Sequence, residues 1–280
     1  MQEKEFSKYQ AIGNDFIIID DLKKQLRLSA EQVTGLCDRH FGIGADGLIL
    51  IRPSEKSSFA MAYYNADGSP AEMCGNGIRC LGKYVYDHSL TPKSDLLIET
   101  GAGDREVSLI REGEVVVEVR VDMGSPRFKR QEIPMVGDQD GEVINQALDI
   151  KETTLQITCL SIGNPHCVIF VENTEHVGVG KVGPIIERLP VFPERTNVEF
   201  VQLVGPRELK VRVWERGVGE TLACGTGACA SVVASVRNNF SGRKVTVRLR
   251  GGDLKVEWSE NNHVYLTGPA EEVFRGVIEV

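Results

Sequence analysis

The sequence predicts an α+β protein made of two similar halves, each a sheet wrapped on a helix. Two observations carry this. Cys74-Gly75-Asn76-Gly77 recurs as Cys224-Gly225-Thr226-Gly227, and Ile12-Gly13-Asn14 recurs as Ile162-Gly163-Asn164, both displaced by 150 positions. Most of the intervening runs read as strands, and one helical stretch follows each Cys-Gly motif, expected over 78–86 and 228–236.

The elements follow from this register. Alternation at Phe59, Met61 and Tyr63 lies over Leu209, Val211 and Val213 without a gap, so a strand precedes each Cys-Gly motif. Leu96-Leu97-Ile98 falls on Thr246-Val247-Arg248, and the valine-rich run at 115–119 falls near Val264-Tyr265-Leu266, all with β-branched or aliphatic character. Within 20–38, Ser29 as N-cap opens an amphipathic helix that reaches Cys37, expected in the first half alone. Gly42-Ile-Gly44-Ala-Asp-Gly47 spells a dinucleotide motif, but Leu48-Ile49-Leu50-Ile51 after it reads as a strand, and a pyrophosphate needs a helix there. The domains are therefore drawn as 1–121 with 269–280, and 122–268. The second opens with a connecting region, 122–150, that holds Pro126 and Pro134.

Composition bounds the function. The chain has 280 residues, 41% of them hydrophobic and 26% charged, an ordinary globular balance. Its net charge of −8, with no Lys/Arg block, argues against nucleic acid and for a small-molecule partner. No apolar run approaches the roughly 18 residues of a membrane span, and Met1-Gln-Glu-Lys-Glu opens no signal peptide, so a cytoplasmic protein is expected. Seven cysteines, an odd number, argue against a disulfide framework. Zinc is disfavoured because there is no C-x-x-C or H-x-x-x-H pair, and no lysine context suggests pyridoxal phosphate.

Cys74 and Cys224 stand apart from the other five cysteines, which read as core. A strand, a small-residue turn, Cys-Gly-x-Gly and then a helix put each thiol at a helix N-terminus, where free N–H groups and the macrodipole favour an anion. Each thiol pKa is thus expected below the free value of about 8.5. The same N–H groups can hold a substrate carboxylate, with glycines at 75 and 225 letting it approach. If the halves pack about a pseudo-twofold axis, the two cysteines face each other across an interdomain cleft. A carbon held there loses a proton to one thiol and gains one from the other, which is the work of a racemase or epimerase. His166 belongs to the second copy of the Gly13-Asn14 motif and is expected beside the thiols. Glu215 and Arg216 could bind the ammonium and carboxylate of an amino acid.

These motifs resemble the diaminopimelate epimerase family over essentially the whole chain. The resemblance rests on Gly13-Asn14-Asp15-Phe16, Asn65-Ala-Asp67-Gly68-Ser69 and Glu72-Met73-Cys74-Gly75-Asn76-Gly77. In the second half it rests on Gly163-Asn164-Pro165-His166, Arg195-Thr196-Asn197, Glu215-Arg216-Gly217 and Ala223-Cys224-Gly225-Thr226-Gly227. It implies a mostly antiparallel, β-barrel-like sheet around a central helix in each domain, a C-terminal strand completing the first, and a homodimer. It also implies cofactor-independent interconversion of LL- and meso-2,6-diaminoheptanedioate in lysine biosynthesis, with Cys74 and Cys224 as the paired acid and base. Asn14, Asn65, Gly75, Asn76, Asn164, Asn197, Glu215, Arg216, Gly225 and Thr226 would then contact substrate, and His166 and Glu215 would tune the thiols. In a plant the location implied is the plastid stroma. One departure is Gly47, where some members have Gln, so a side-chain contact is missing there. The competing readings are a proline or hydroxyproline racemase and, from another class, a thiol redox or metal-binding protein.

Overall fold

The computed structural model describes residues 3–150 and 153–279. Its contacts define two compact units, 1–122 with 267–280, and 123–266.

In the first unit β1 (Glu3–Ala11) and β2 (Asn14–Asp20) form a hairpin. Ile12 and Gly13 at its tip have φ of 47° and 87°, and the glycine takes this left-handed backbone without steric cost. β2 runs parallel to β3 (Gly47–Arg52), and the crossover between them carries α1 (Ala30–Cys37), capped by Ser29. β4 (Phe59–Asn65) is antiparallel to β3, and β5 (Pro70–Ala71) turns back on it into α2 (Gly75–Asp87). β6 (Asp95–Thr100) is parallel to β4, followed by the antiparallel strands β7 (Gly103–Glu112) and β8 (Val115–Asp122).

The second unit repeats the plan. β9 (Val143–Ile150) pairs with β10 (Thr153–Ser161), which pairs with β11 (Pro165–Phe170). β11 is parallel to β12 (Asn197–Gly205) across a crossover that carries α3 (Val179–Glu187). β13 (Glu208–Glu215) and β14 (Gly219–Thr221) lead into α4 (Gly225–Arg237). β15 (Lys244–Leu249) is parallel to β13, then come β16 (Gly252–Trp258) and β17 (Val264–Gly268). The last strand, β18 (Glu271–Glu279), returns to the first unit and lies antiparallel on β1, as β9 lies on β10. Both units thus place their parallel steps at the same points.

Burial explains these choices. Phe16–Ile19 and Leu48–Ile51 are buried throughout, the continuous apolar runs expected of strands covered on both faces. One face of β2 and β3 packs on α1 through Ile17, Ile19, Leu48, Leu50 and Val33. α2 lies against β1, β2, β7 and β8, and α4 against β10–β13, β15 and β16. Residues 227–235 of α4 are buried in succession, and a helix enclosed on all sides needs small residues such as Ala228, Ala230, Ser231 and Ala234.

Two expectations are corrected. A supporting helix was expected in the first half only, yet α3 occupies the equivalent place, 150 positions after α1. Its local signal is faint because Gly178 caps it without a side chain, and Gly180, Gly183 and Pro184 are poor helix formers. Packing supplies what propensity lacks: Val179 and Ile186 enter the core with Phe192 and Phe200, and Gly183 lies against the Trp214 ring. The two central helices also begin at Gly75 and Gly225, three residues earlier than the apolar pattern suggests, because the first turn is glycine-rich.

Candidate active site

Cys74 and Cys224 are the N-cap residues of α2 and α4, with extended backbones (φ −134° and −129°). Each sulfur accepts the N–H of the glycine three residues on, Gly77 or Gly227, at 3.4 Å. The N-terminal turns therefore aim their free N–H groups beside a thiol, as the repeat requires.

Around Cys74 the first unit gathers Asn14 and Asn76. Asn14 Oδ1 accepts from Asn76 Nδ2 at 3.0 Å and faces the Cys74 thiol at 3.7 Å. Its Nδ2 donates to Asp46 Oδ2 at 2.8 Å. A carboxylate only accepts, so Asp46 forces the NH₂ of Asn14 toward itself and the carbonyl toward the sulfur. Arg39 bonds Asp46 at 2.7 Å and forks onto Asp15, which the buried Lys8 also meets. Sequence reasoning missed Asp46, whose only signal is its place next to Gly47. At Gly47 a Cβ would lie 2.6 Å from the Tyr64 carbonyl oxygen and 2.7 Å from the Tyr63 ring, so the aromatic ring fills the space where a side chain would extend. Asn65 is drawn into its own turn, donating to Ser69 Oγ at 3.0 Å.

Around Cys224 the second unit gathers Thr226, Asn164, His166, Glu215 and a residue not anticipated, Glu199. Thr226 Oγ1 lies 3.5 Å from Cys224 Sγ and 3.4 Å from Asn164 Nδ2. Asn164 Oδ1 is 2.8 Å from His166 Nε2, and His166 Nδ1 is 2.7 Å from Glu199 Oε1. Both side chains of that last pair are fully buried. Glu215 takes the Thr221 hydroxyl at 2.5 Å and its carboxyl lies near enough to Cys224 to act on the thiol. Asn197 serves the backbone instead: its Nδ2 donates to the Pro165 carbonyl at 2.8 Å and its Oδ1 accepts the Arg216 N–H at 2.9 Å. The exposed Arg216 guanidinium donates to the Glu194 carbonyl, so Glu215 and Arg216 diverge although adjacent.

The electrostatics overturn one expectation. Burial pushes the Cys224 thiol well above its ordinary value, and the carboxyls of Glu215 and Glu199 push it the same way. The Thr226 and Gly227 hydrogen bonds oppose this but do not reverse it. A helix N-terminus contributes on the order of 1 kcal/mol, which desolvation of an enclosed thiolate exceeds. Cys224 is therefore a thiol in the free protein. Burial likewise raises Glu215, against hydrogen bonds from Thr221 and Cys224, and raises Glu199 against its His166 partner. The other five cysteines are buried and outside any disulfide, as read from the sequence.

Comparison with known proteins agrees with this arrangement. The sequence model described as diaminopimelate epimerase matches residues 6–129 and 158–273. The chain is 52% identical over 275 residues to the diaminopimelate epimerase of Pelotomaculum thermopropionicum, covering 97% of each. It is 51% identical over 276 residues to that of Leptospira biflexa, covering 98% of this chain and 99% of the relative. Among solved structures, a hydroxyproline epimerase from Agrobacterium vitis shares the fold with a TM-score of 0.72 at 11% identity, covering 99% of this chain and 92% of its own. With two capped cysteines, their asparagine partners and near-complete coverage all in agreement, this chain belongs to the diaminopimelate epimerase family.

Proposed function

We propose that this protein interconverts LL- and meso-2,6-diaminoheptanedioate without a cofactor, by proton transfer at Cα between Cys74 and Cys224. The observation that carries the reading is the pair of cysteines, each an N-cap at the same place in its repeat and each held by the glycine N–H three residues on. Identity of about half over the full chain to relatives named for this activity supports the substrate.

In this reading one sulfur, as thiolate, takes the Cα proton while the other, as thiol, returns a proton to the opposite face; the roles exchange with direction. Charge that develops on the substrate carboxylate meets N–H groups of the first helical turns at Gly75-Asn76 and Gly225-Thr226. Asn14, Asn76, Asn164 and Thr226 bind substrate polar groups near the thiols, Asn197 does so through the turn it holds, and Asn65 through the loop it closes. Arg216 meets a carboxylate and Glu215 an ammonium. Glu215 and His166 tune Cys224, and the protonated Cys224 is the resting acid. The enzyme acts in the cytoplasm, which suits seven cysteines outside any disulfide. It works as a homodimer, for which the exposed Val273, Phe274 and Val277 leave apolar surface along β18.

The test is deuterium uptake at Cα from D₂O with LL-diaminoheptanedioate, no cofactor added and a chelator present. Wild type is expected to couple exchange to epimerisation, and Cys74→Ala and Cys224→Ala each to lose epimerisation by at least about a thousandfold. Absent exchange in reduced wild type, or turnover of proline in its place, would overturn the reading.

A further inference from the structure

The two units differ most directly behind their thiols. In the repeat register His166 stands where the first half has Phe16, and Glu199 where it has Ile49. Packing repeats the correspondence: a Cβ on Gly77 would meet Ile49 Cδ1 at 3.1 Å, and a Cβ on Gly227 would meet Glu199 Oε1 at 3.0 Å. Phe16 and Ile49 are wholly buried, as are His166 and Glu199. The fold therefore fills this position equally well with two apolar side chains. A buried carboxyl with a single ring as its partner is an expensive replacement for them.

The buried pair is also wired to the thiol. Hydrogen-bond contacts run from Glu199 Oε1 to His166 Nδ1, from His166 Nε2 to Asn164 Oδ1, from Asn164 Nδ2 to Thr226 Oγ1, and from there to Cys224 Sγ. Each contact constrains the next. The Nδ1 contact with Glu199 sets the ring plane; Nε2–H then donates to the Asn164 carbonyl, and the Asn164 NH₂ turns to Thr226. The other carboxylate oxygen, Glu199 Oε2, is buried with no partner from another residue among those described. The groups around the thiol are Glu215 from β13, Glu199 from β12, His166 from β11 and Thr226 from α4, and Glu199 also faces Cys167 on β11. At the equivalent places behind Cys74 the side chains of Phe16 and Ile49 carry no polar atom, and the Asn14 amide there is held by Asp46 instead.

We propose that Glu199 is a positioning residue for the epimerisation, the buried anchor of a chain through His166, Asn164 and Thr226 that makes Cys224 chemically unlike Cys74. The pair of thiols is then unequal by construction. Cys224 holds its proton more firmly than an apolar neighbourhood alone would dictate, because a negative group sits behind the helix turn that caps it. This inference rests on the function proposed above only for its consequence in turnover; the effect of Glu199 on the thiol stands apart from any substrate.

The experiment reads Cys224 directly. In a Cys74→Ala background, the rate of iodoacetamide alkylation of Cys224 is followed against pH by peptide mass spectrometry. Glu199→Gln keeps an oxygen for His166 and removes the charge, so the alkylation midpoint is expected to fall by about one pH unit. In the otherwise native enzyme the same substitution is expected to move the pH profile of one direction of epimerisation more than the other. The double variant His166→Phe with Glu199→Ile copies the first half and is expected to fold, to lower the midpoint and to lose turnover about a hundredfold. A midpoint unmoved in both variants overturns the proposal, whatever the activity. A shifted midpoint in a protein that does not act on diaminoheptanedioate leaves the role of Glu199 standing and removes the proposed reaction.

Discussion

Asp46 decides which end of the Asn14 amide faces Cys74, and it does so from outside the thiol's own contacts. Its carboxylate can only accept, so it captures the Asn14 NH₂ and leaves the carbonyl to the sulfur and to Asn76. Without it the amide is free to turn and to present a donor to the thiol. Asp46→Ala is expected to lower kcat/KM about tenfold, roughly the worth of one charge-assisted hydrogen bond, with little change in thermal stability because Asp46 is well exposed. Steady-state kinetics beside a melting curve checks this, and unchanged kinetics would remove Asp46 from the site. The places of Cys74 and Cys224 at the starts of α2 and α4 were legible because each half supports the other's reading, whereas Asn14, Asn164 and Thr226 came only with the family resemblance. Glu199 and Asp46 were not legible. Glu199 is a lone acid in the strand-like run Asn197-Val-Glu-Phe-Val, and local pattern alone makes it an outward residue. The repeat did carry a signal, since a carboxylate set against Ile49 is an anomaly. The expected depression of the Cys224 pKa failed for a related reason: sequence shows the helix that favours the thiolate but not the burial that disfavours it.

Among the elements, α3 shows how far packing overrides propensity. It carries two internal glycines and Pro184, yet it seats Val179, Gly183 and Ile186 on the second unit's core. Gly183 is required there because a Cβ would lie 2.5 Å from Trp214 Cγ and 2.6 Å from its Cβ. The indole cannot withdraw easily, since its Nε1 donates to the buried Glu187 at 2.8 Å. Gly183→Ala therefore gains helix propensity of about 1 kcal/mol but meets an overpacking cost of about 1–3 kcal/mol. A net destabilisation of up to about 2 kcal/mol is expected, seen as a fall of up to about 8 °C in melting temperature. A melting temperature equal to or above wild type would show that the Trp214 ring has room to move.

For the whole molecule, acid is expected to act on the two units in opposite senses. In the first unit, burial raises Asp15 and Glu272, but Arg39 and Lys8 overcome it for Asp15, and Arg275, Ser7 and His88 hold Glu272 down at about 2. Carboxyls depressed in the folded state stabilise it above their ordinary pKa, and that contribution is lost as pH falls from 4.5 toward 2. In the second unit Glu199 and Glu215 are raised by burial. The folded state then binds their protons more tightly than the unfolded one, so their contribution is present at low pH and is lost as pH rises past the ordinary value. Hydrogen exchange between pH 5 and 2.5, corrected for intrinsic rates, is expected to show β1 and β2 losing protection before β11 and β12. The reverse order would mean that the buried carboxyls of the second unit are not neutral in acid.

The strand that completes each unit comes from a different direction along the chain. β9 immediately precedes β10, whereas β1 waits for β18, more than 250 residues later in the chain. On a ribosome this sets an order of assembly. At about 5–20 residues per second, the edge of β1 stays open for on the order of ten seconds or longer after it emerges. During that time its unpaired amides and carbonyls are a template for any neighbouring strand. The second unit has all of its own segments in hand sooner. The half that is synthesised first is thus finished last, and it is the half with the greater need of a chaperone during translation.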